Sequence, residues 1–308
     1  MSQYFVEYAL DPELFTSWDR CITYFEQMGW HQRRLLGAVP KGWIGTVTAL
    51  VKKKGGFDDE TFKRFELRML HLEESLLKRG RGSKEGETWI QSAVRKNKEK
   101  PFYDIVALEN QDNYSSVTLH RDVDWKLFSG VVDRDVDSIA QALSLLLLNC
   151  GELHLVDPFF KPENSKWRDV LIAFTKITTE GRKPEITYHT TLKNREANLS
   201  GVKDHCERKL PQHLPRGLSV LMKIWEEKED GEDFHDRFVL TEKVGVCIGA
   251  GLSSGDTGQT LNLTMMDPKM HERRYREFSR SSPYKIVDEF KIIGAPRTPP
   301  RDHNRRQR

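Results

Sequence analysis

His235-Asp-Arg-Phe-Val-Leu-Thr-Glu242, followed after Lys243 by Val244-Gly-Val-Cys-Ile-Gly249-Ala-Gly251, sets a histidine, a fixed cation and a carboxylate around a short apolar strand ending in glycines. Imidazole moves protons near neutral pH, and guanidinium stays charged and grips phosphate oxygens with a planar fork. Glycine allows close backbone approach at a strand end. Together these residue types lay out a phosphate-handling site. The H-x-R pair by itself identifies nothing, because His31, His235, His271 and His303 all have it. His235 is distinguished by the acid at 242, the strand between them, and the glycines at 249 and 251, with Ser253 and Ser254 close behind.

Upstream of this stretch the pattern alternates helix and strand, which implies a sheet with helices packed on it. Val136 to Asn149 reads as an apolar helix and Glu152 to Val156 as a strand; Lys166 to Lys176, Arg195 to His205 and His271 to Phe278 read as helices. Glu185 to Tyr188, Leu218 to Ile224 and Lys285 to Ile292 read as further strands. The strand from Glu152 runs into Asp157-Pro-Phe-Phe160, and strand ends of this kind line ligand crevices in α/β domains, so Asp157 joins the candidate site. His154, in mid-strand among apolar neighbours, reads as a hydrogen-bonded core residue.

Residues 1–112 read as a mainly helical N-terminal domain. Its helical stripes are Leu14, Trp18, Ile22, Phe25 and Met28, then Phe62, Phe65, Met69, Leu72, Leu76 and Leu77, with strands expected at Gln3 to Tyr8 and Phe102 to Leu108. The polar segment 110–116 marks the junction, residues 113–295 form the second domain, and the proline-rich basic residues 296–308 read as a disordered tail. Basic runs at 78–84 and 95–100 suit either a phosphate backbone or, more simply, helix ends with dipole-matched cations.

Composition sets the outer bounds. The chain has 308 residues, 37% of them apolar, enough to build cores without disulfides. Its 31% charged residues leave a net charge of only +3, so no overall basic field argues for nucleic acid. Cys21, Cys150, Cys206 and Cys247 form no C-x-x-C pair, and neither a metal site nor a cofactor is expected. Gly80 to Gly86 and Gly249 to Gly255 each miss the G-x-G-x-x-G fingerprint by one position, and no P-loop occurs. The start has no signal-peptide character and no apolar run is long enough to span a bilayer, which predicts a cytoplasmic protein.

The motif resembles the half-site of the phospholipase D superfamily, H-x-K-x4-D-x6-G-S. His235 stands for the histidine, Arg237 for the lysine, Glu242 for the aspartate and Gly249 for the glycine, while Ala250 replaces the serine. Leu153 to Phe160 is similar to that superfamily's first core strand. The H-D-R followed by G-x-G-L is also similar to the phospholipase D-like C-terminal domain of MIT-domain proteins, a binding module. The resemblance implies an α/β fold of layered sheet and helices over about residues 130–293. It implies His235 as nucleophile or acid, Arg237 as phosphate clamp and Glu242 as the carboxylate that orients an imidazole.

Two functions follow. In the first, the protein is a metal-independent phosphodiesterase, most plausibly a nuclease of the defence-associated kind. It works through a phosphohistidine as a homodimer, since one chain carries one half-site and twofold symmetry supplies another. In the second, the site is catalytically silent. The domain then recognises a phosphate-bearing ligand or a protein, and the N-terminal domain engages a protein partner.

Overall fold

A computed structural model describes residues 3–77, 82, 84–109, 113–125, 129–192, 199–226, 234–280 and 282–296. It is a mixed α/β structure of two compact units, dividing at Ser129 and Gly130. The basic loop at 78–81, the turn at 227–233 and the tail from 297 onward lie outside the described residues, and so does the expectation of disorder attached to that tail.

Among the described residues, the N-terminal unit combines four α-helices with a five-stranded sheet, of which the sequence suggested the strands near residues 3–8 and 102–108. Its strands are β1 (Val6–Leu10), β2 (Arg34–Gly37), β3 (Leu76–Leu77), β4 (Asp104–Ala107) and β5 (Thr118–Leu119), all paired in parallel in the order β3-β2-β1-β4-β5. Between them run α1 (Trp18–Gln27), α2 (Trp43–Lys54), α3 (Asp59–Glu74) and α4 (Trp89–Glu99). Parallel strands buried on both faces lose the polar alternation that marks a surface strand. Here they are also only two to five residues long, so the helical periodicity drowns them.

Two readings shift accordingly. Leu76 and Leu77, the end of an expected helical stripe, leave the helix after Glu74 and form β3. Ile22 is turned outward, while its neighbours Cys21 and Tyr24 are buried. Thr118 and Leu119 pair with Val106 and Ala107, which draws residues 113–129 into the first unit and moves the boundary past the polar segment at 110–116.

The C-terminal unit, among the described residues, holds an eight-stranded mixed sheet. Its strands and helices follow as β6 (Val131–Asp133), α5 (Val136–Asn149), β7 (Glu152–Val156), α6 (Ser165–Glu180), β8 (Glu185–Thr191), α7 (Leu199–Lys209), β9 (Ser219–Glu226), β10 (Phe238–Thr241), β11 (Gly245–Ile248), β12 (Thr260–Met265), α8 (Pro268–Ser279) and β13 (Lys285–Ile293). The order is β13-β9-β8-β7-β10-β11-β12-β6, with β7, β8 and β9 parallel and every other pairing antiparallel. The helix-crossover half was legible from its alternation. β6 and β12, which extend the sheet beyond β11, were not.

The starts of α5, α6 and α8 carry their own signal. Asp135 caps α5 through Ser138 N at 2.9 Å, and Asp267 with Pro268 opens α8. Alternation along β7 and β10 then sorts the sheet's faces. Val156, Phe238 and Leu240 lie with Trp225, Met266 and Phe278 in one apolar cluster, so α8 is seated over β10. No helix among the described residues is long and apolar enough to cross a membrane.

Candidate functional site

β10 runs antiparallel to β7, with Phe238 opposite Val156 and Thr241 opposite Leu153. That register decides which motif residues meet. Residues 235–237 enter β10 beside the carboxyl end of β7, where Asp157 stands, and residue 242 leaves β10 beside Gly151.

At the Asp157 end, Phe159 organises the site. Its ring stacks on the His235 imidazole, with centroids 6.3 Å apart and planes 17° from parallel, and the Arg237 guanidinium lies 4.7 Å from the same ring centroid. His235 is exposed and Arg237 half-buried. Arg237 Nε is buried and makes no hydrogen bond among the described residues. A cation braced on an aromatic face, with a dry donor to spare, is set up for an anion.

Asp157 holds this end together and is not itself open to a ligand. Only 1% exposed, it accepts from Phe159 N at 2.9 Å, Leu252 N at 2.9 Å and Trp167 Nε1 at 3.1 Å. One carboxylate thus ties the end of β7 to the glycine loop and to the first turn of α6. Burial raises its pKa above the ordinary value, while these donors and the nearby Arg237 charge pull the other way.

Gly251 fits between these groups with φ +92°, and a Cβ there would stand 3.2 Å from Asp157 Oδ2 and 3.7 Å from Arg237 Nε. The glycine is needed for its backbone angle and for room.

The other predicted residues are placed elsewhere. Glu242 does not orient His235. Its carboxylate accepts from Gly151 N at 2.9 and 3.0 Å and from Glu152 N at 3.1 Å, fastening the start of β7. Four strand residues lie between Arg237 and Glu242, which puts the two ends five steps or about 17 Å apart at roughly 3.3 Å per residue. The correction was latent in the sequence, since an extended run between His235 and Glu242 cannot bring them together.

Gly249 pairs through its N–H with Asn262 O of β12 at 2.9 Å. Ser253 is buried, and its hydroxyl accepts from Arg134 Nη2 at 2.7 Å. Arg134 also reaches Ser253 O at 3.1 Å and Ala250 O at 2.8 Å, so it splints the glycine loop. Ser254 N donates to Lys166 O at 3.0 Å. Both serines build the loop and neither faces the His235 and Arg237 pair through these bonds. Phe159 and Arg134 are the residues that sequence reasoning left without a role.

Around the site, α8 contributes charge but no second histidine. Arg274 lies 3.4 Å from Asp236 and 2.9 Å from Glu277, whereas His271 donates from Nε2 to Thr241 O at 2.8 Å, at the Glu242 end. His154 is a hydrogen-bonded core residue as expected. Trp225 Nε1 donates to His189 Nδ1 at 3.1 Å, so the His189 proton sits on Nε2 and is donated to His154 Nδ1 at 3.0 Å. His154 then carries its own proton on Nε2, 3.8 Å from Glu152 Oε2. Burial lowers His154 to about 4, partly opposed by Glu152, and lowers His189 further.

Two of the four cations in the basic run at 95–100 are paired locally. Arg95 bonds Glu87 at 2.7 Å and Glu99 at 3.3 Å, and Lys96 bonds Glu99 at 2.9 Å. Among the described residues, no group of three or more His, Cys, Asp or Glu is placed to hold a metal ion.

No protein-family model matches the chain, and comparison with curated proteins finds no match.

Proposed function

We propose that the C-terminal unit is a phospholipase D-like recognition domain that takes hold of a phosphate group between Arg237 and His235. The observation that carries this reading is the Arg237 guanidinium, braced on Phe159 with its buried Nε lacking a partner, at the end of the sheet where His235 is exposed. Binding is favoured over turnover because the two carboxylates that the motif offers are committed to backbone and indole donors. Glu242 serves the opposite strand end, and Asp157 is buried with its oxygens occupied by three donors.

The test is a titration of the full chain with a short single-stranded DNA oligonucleotide and with inorganic phosphate at low salt. Arg237→Ala is expected to weaken binding about 10- to 100-fold, the worth of one charge-assisted hydrogen-bonded contact. His235→Gln is expected to weaken it less. Equal affinity of wild type and Arg237→Ala would refute the reading.

A second reading rests on the exposure of His235. Two copies facing each other across a twofold axis would place two imidazoles on one phosphodiester. One Nε2 attacks phosphorus, the P–O bond to the leaving alcohol breaks, and the other imidazole gives that oxygen its proton; water, giving a proton back to that second imidazole, then breaks the P–N bond and releases the phosphomonoester from the phosphohistidine. This requires cleavage that persists in EDTA, disappears in His235→Ala, and leaves a trappable phosphohistidine on a dimer. A chain that binds the oligonucleotide as a monomer and never cuts it leaves only the first reading.

A further inference from the structure

A groove of about 1900 Å³ opens on the C-terminal unit, lined by β6, α5, α6 and the segment 212–216, with none of the residues of the His235 site among its walls. Its floor is apolar, with Val136 and Ala140 from α5 and Ile172, Ala173 and Ile177 from α6. Carboxylates dominate the charged groups around it. Asp133, Asp137, Asp169 and Glu180 stand against Lys176 and Arg216, a net charge of −2 from four acids and two bases. Asp133, Asp137 and Glu180 are exposed. Small-molecule pockets run to roughly 300–1,000 Å³, so this groove is of a size for a stretch of polypeptide.

The described chain itself is delivered into that groove. Gly294 N donates to Leu218 O at 2.8 Å and Ala295 N to Pro211 O at 2.7 Å, and Ala295 and Pro296 are part of the groove wall. The sequence that continues from Pro296 is Arg297-Thr-Pro-Pro-Arg-Asp-His-Asn-Arg-Arg-Gln-Arg308, with five arginines against one aspartate, net +4. It includes Pro299 and Pro300, and twelve residues can span at most roughly 40 Å. An acidic groove with an apolar floor, entered by a chain that turns basic and proline-bearing at the rim, is complementary to its own continuation.

We propose that this groove seats residues 297–308 of the same chain, the arginines meeting Asp133, Asp137 and Glu180 and the prolines lying on the apolar floor. A segment so seated is withheld from polyanions, and high salt, which screens exposed pairs, releases it. The proposal is independent of what the His235 site binds.

The test follows tryptic release of the C-terminal peptides from the full chain by mass spectrometry. Cleavage after Arg301 and Arg305 is expected to be at least tenfold slower in the wild type than in Asp133→Lys/Glu180→Lys, and its rate unchanged over a hundredfold range of protein concentration. Equal rates in the two proteins would overturn the proposal. So would protection that grows with concentration, which would assign the groove to the tail of a second copy. Should the double variant lose its fold, the methyl resonances of Ile172 and Ile177 decide. They are expected to shift when the five arginines from 297 to 308 are replaced by serine in the full chain, and unmoved resonances would refute the seating.

Discussion

Replacing Glu242 by alanine separates a catalytic carboxylate from a structural one. The side chain accepts from two backbone N–H groups, Gly151 and Glu152, at 2.9 to 3.1 Å. Hydrogen bonds to a charged group contribute about 1.5–3 kcal/mol each. Gly151 is half-buried and Glu152 exposed, so water takes over part of that duty. A total loss of about 2 kcal/mol follows, and for a unit of this size that lowers the melting temperature by roughly 4–8 °C.

The effect on the phosphate site is expected to be negligible. Across about 17 Å, two unit charges in water interact by only ~0.2 kcal/mol, and salt at physiological strength screens most of that. Thermal denaturation and oligonucleotide titration of Glu242→Ala, each beside wild type and Glu242→Gln, measure the two effects separately. Glu242→Gln, which keeps one acceptor oxygen, should lose about half as much stability. The reasoning fails if Glu242→Ala melts with the wild type yet binds the oligonucleotide tenfold more weakly, because the carboxylate would then act on the ligand site.

Three further outcomes are expected. Phe159→Ala should cost about 0.5–2 kcal/mol of affinity for a phosphate-bearing oligonucleotide by removing the surface on which Arg237 and His235 rest, with Phe159→Tyr restoring most of it. Gly251→Ala should destabilise the unit by about 1–2 kcal/mol in urea denaturation, because φ +92° suits glycine and the added Cβ presses on Asp157. The buried imidazoles should make stability depend on pH. His154 is held neutral down to about 4, whereas in the unfolded chain a histidine takes up a proton near 6.5. The unfolded state therefore binds more protons between these values, so stability is full above pH 6.5 and falls as pH drops towards 4, by about 3 kcal/mol from this group. Urea denaturation of His154→Phe from pH 7 to 4 should show a shallower fall, and an unchanged slope would rule this histidine out as its source.

Local chemistry gave a good part of the C-terminal unit. The helix over Val136 to Asn149 and the strand over Glu152 to Val156 were legible because apolar spacing and flanking turn residues act within a few positions. The position of Asp157 at a strand end followed from the same pattern. The strands that join β1 and β4 in the N-terminal sheet were hidden for an equally local reason. β3 and β5 are two residues long and are strands only because β2 and β4 offer them backbone partners, so no window of sequence can contain the cause.

The site divides along the same line. The sequence determined which residue types stand near one another along the chain, and it put the histidine, the arginine and the glycines in one segment. The antiparallel register of β10 on β7 decided that His235 and Arg237 share the Asp157 end with Phe159, and that Glu242 caps the other. Spacing along a chain counts residues, whereas a site is made of distances. An extended strand turns seven residues of proximity in sequence into two separate ends of a sheet, and only pairing between strands far apart in sequence says what each end meets.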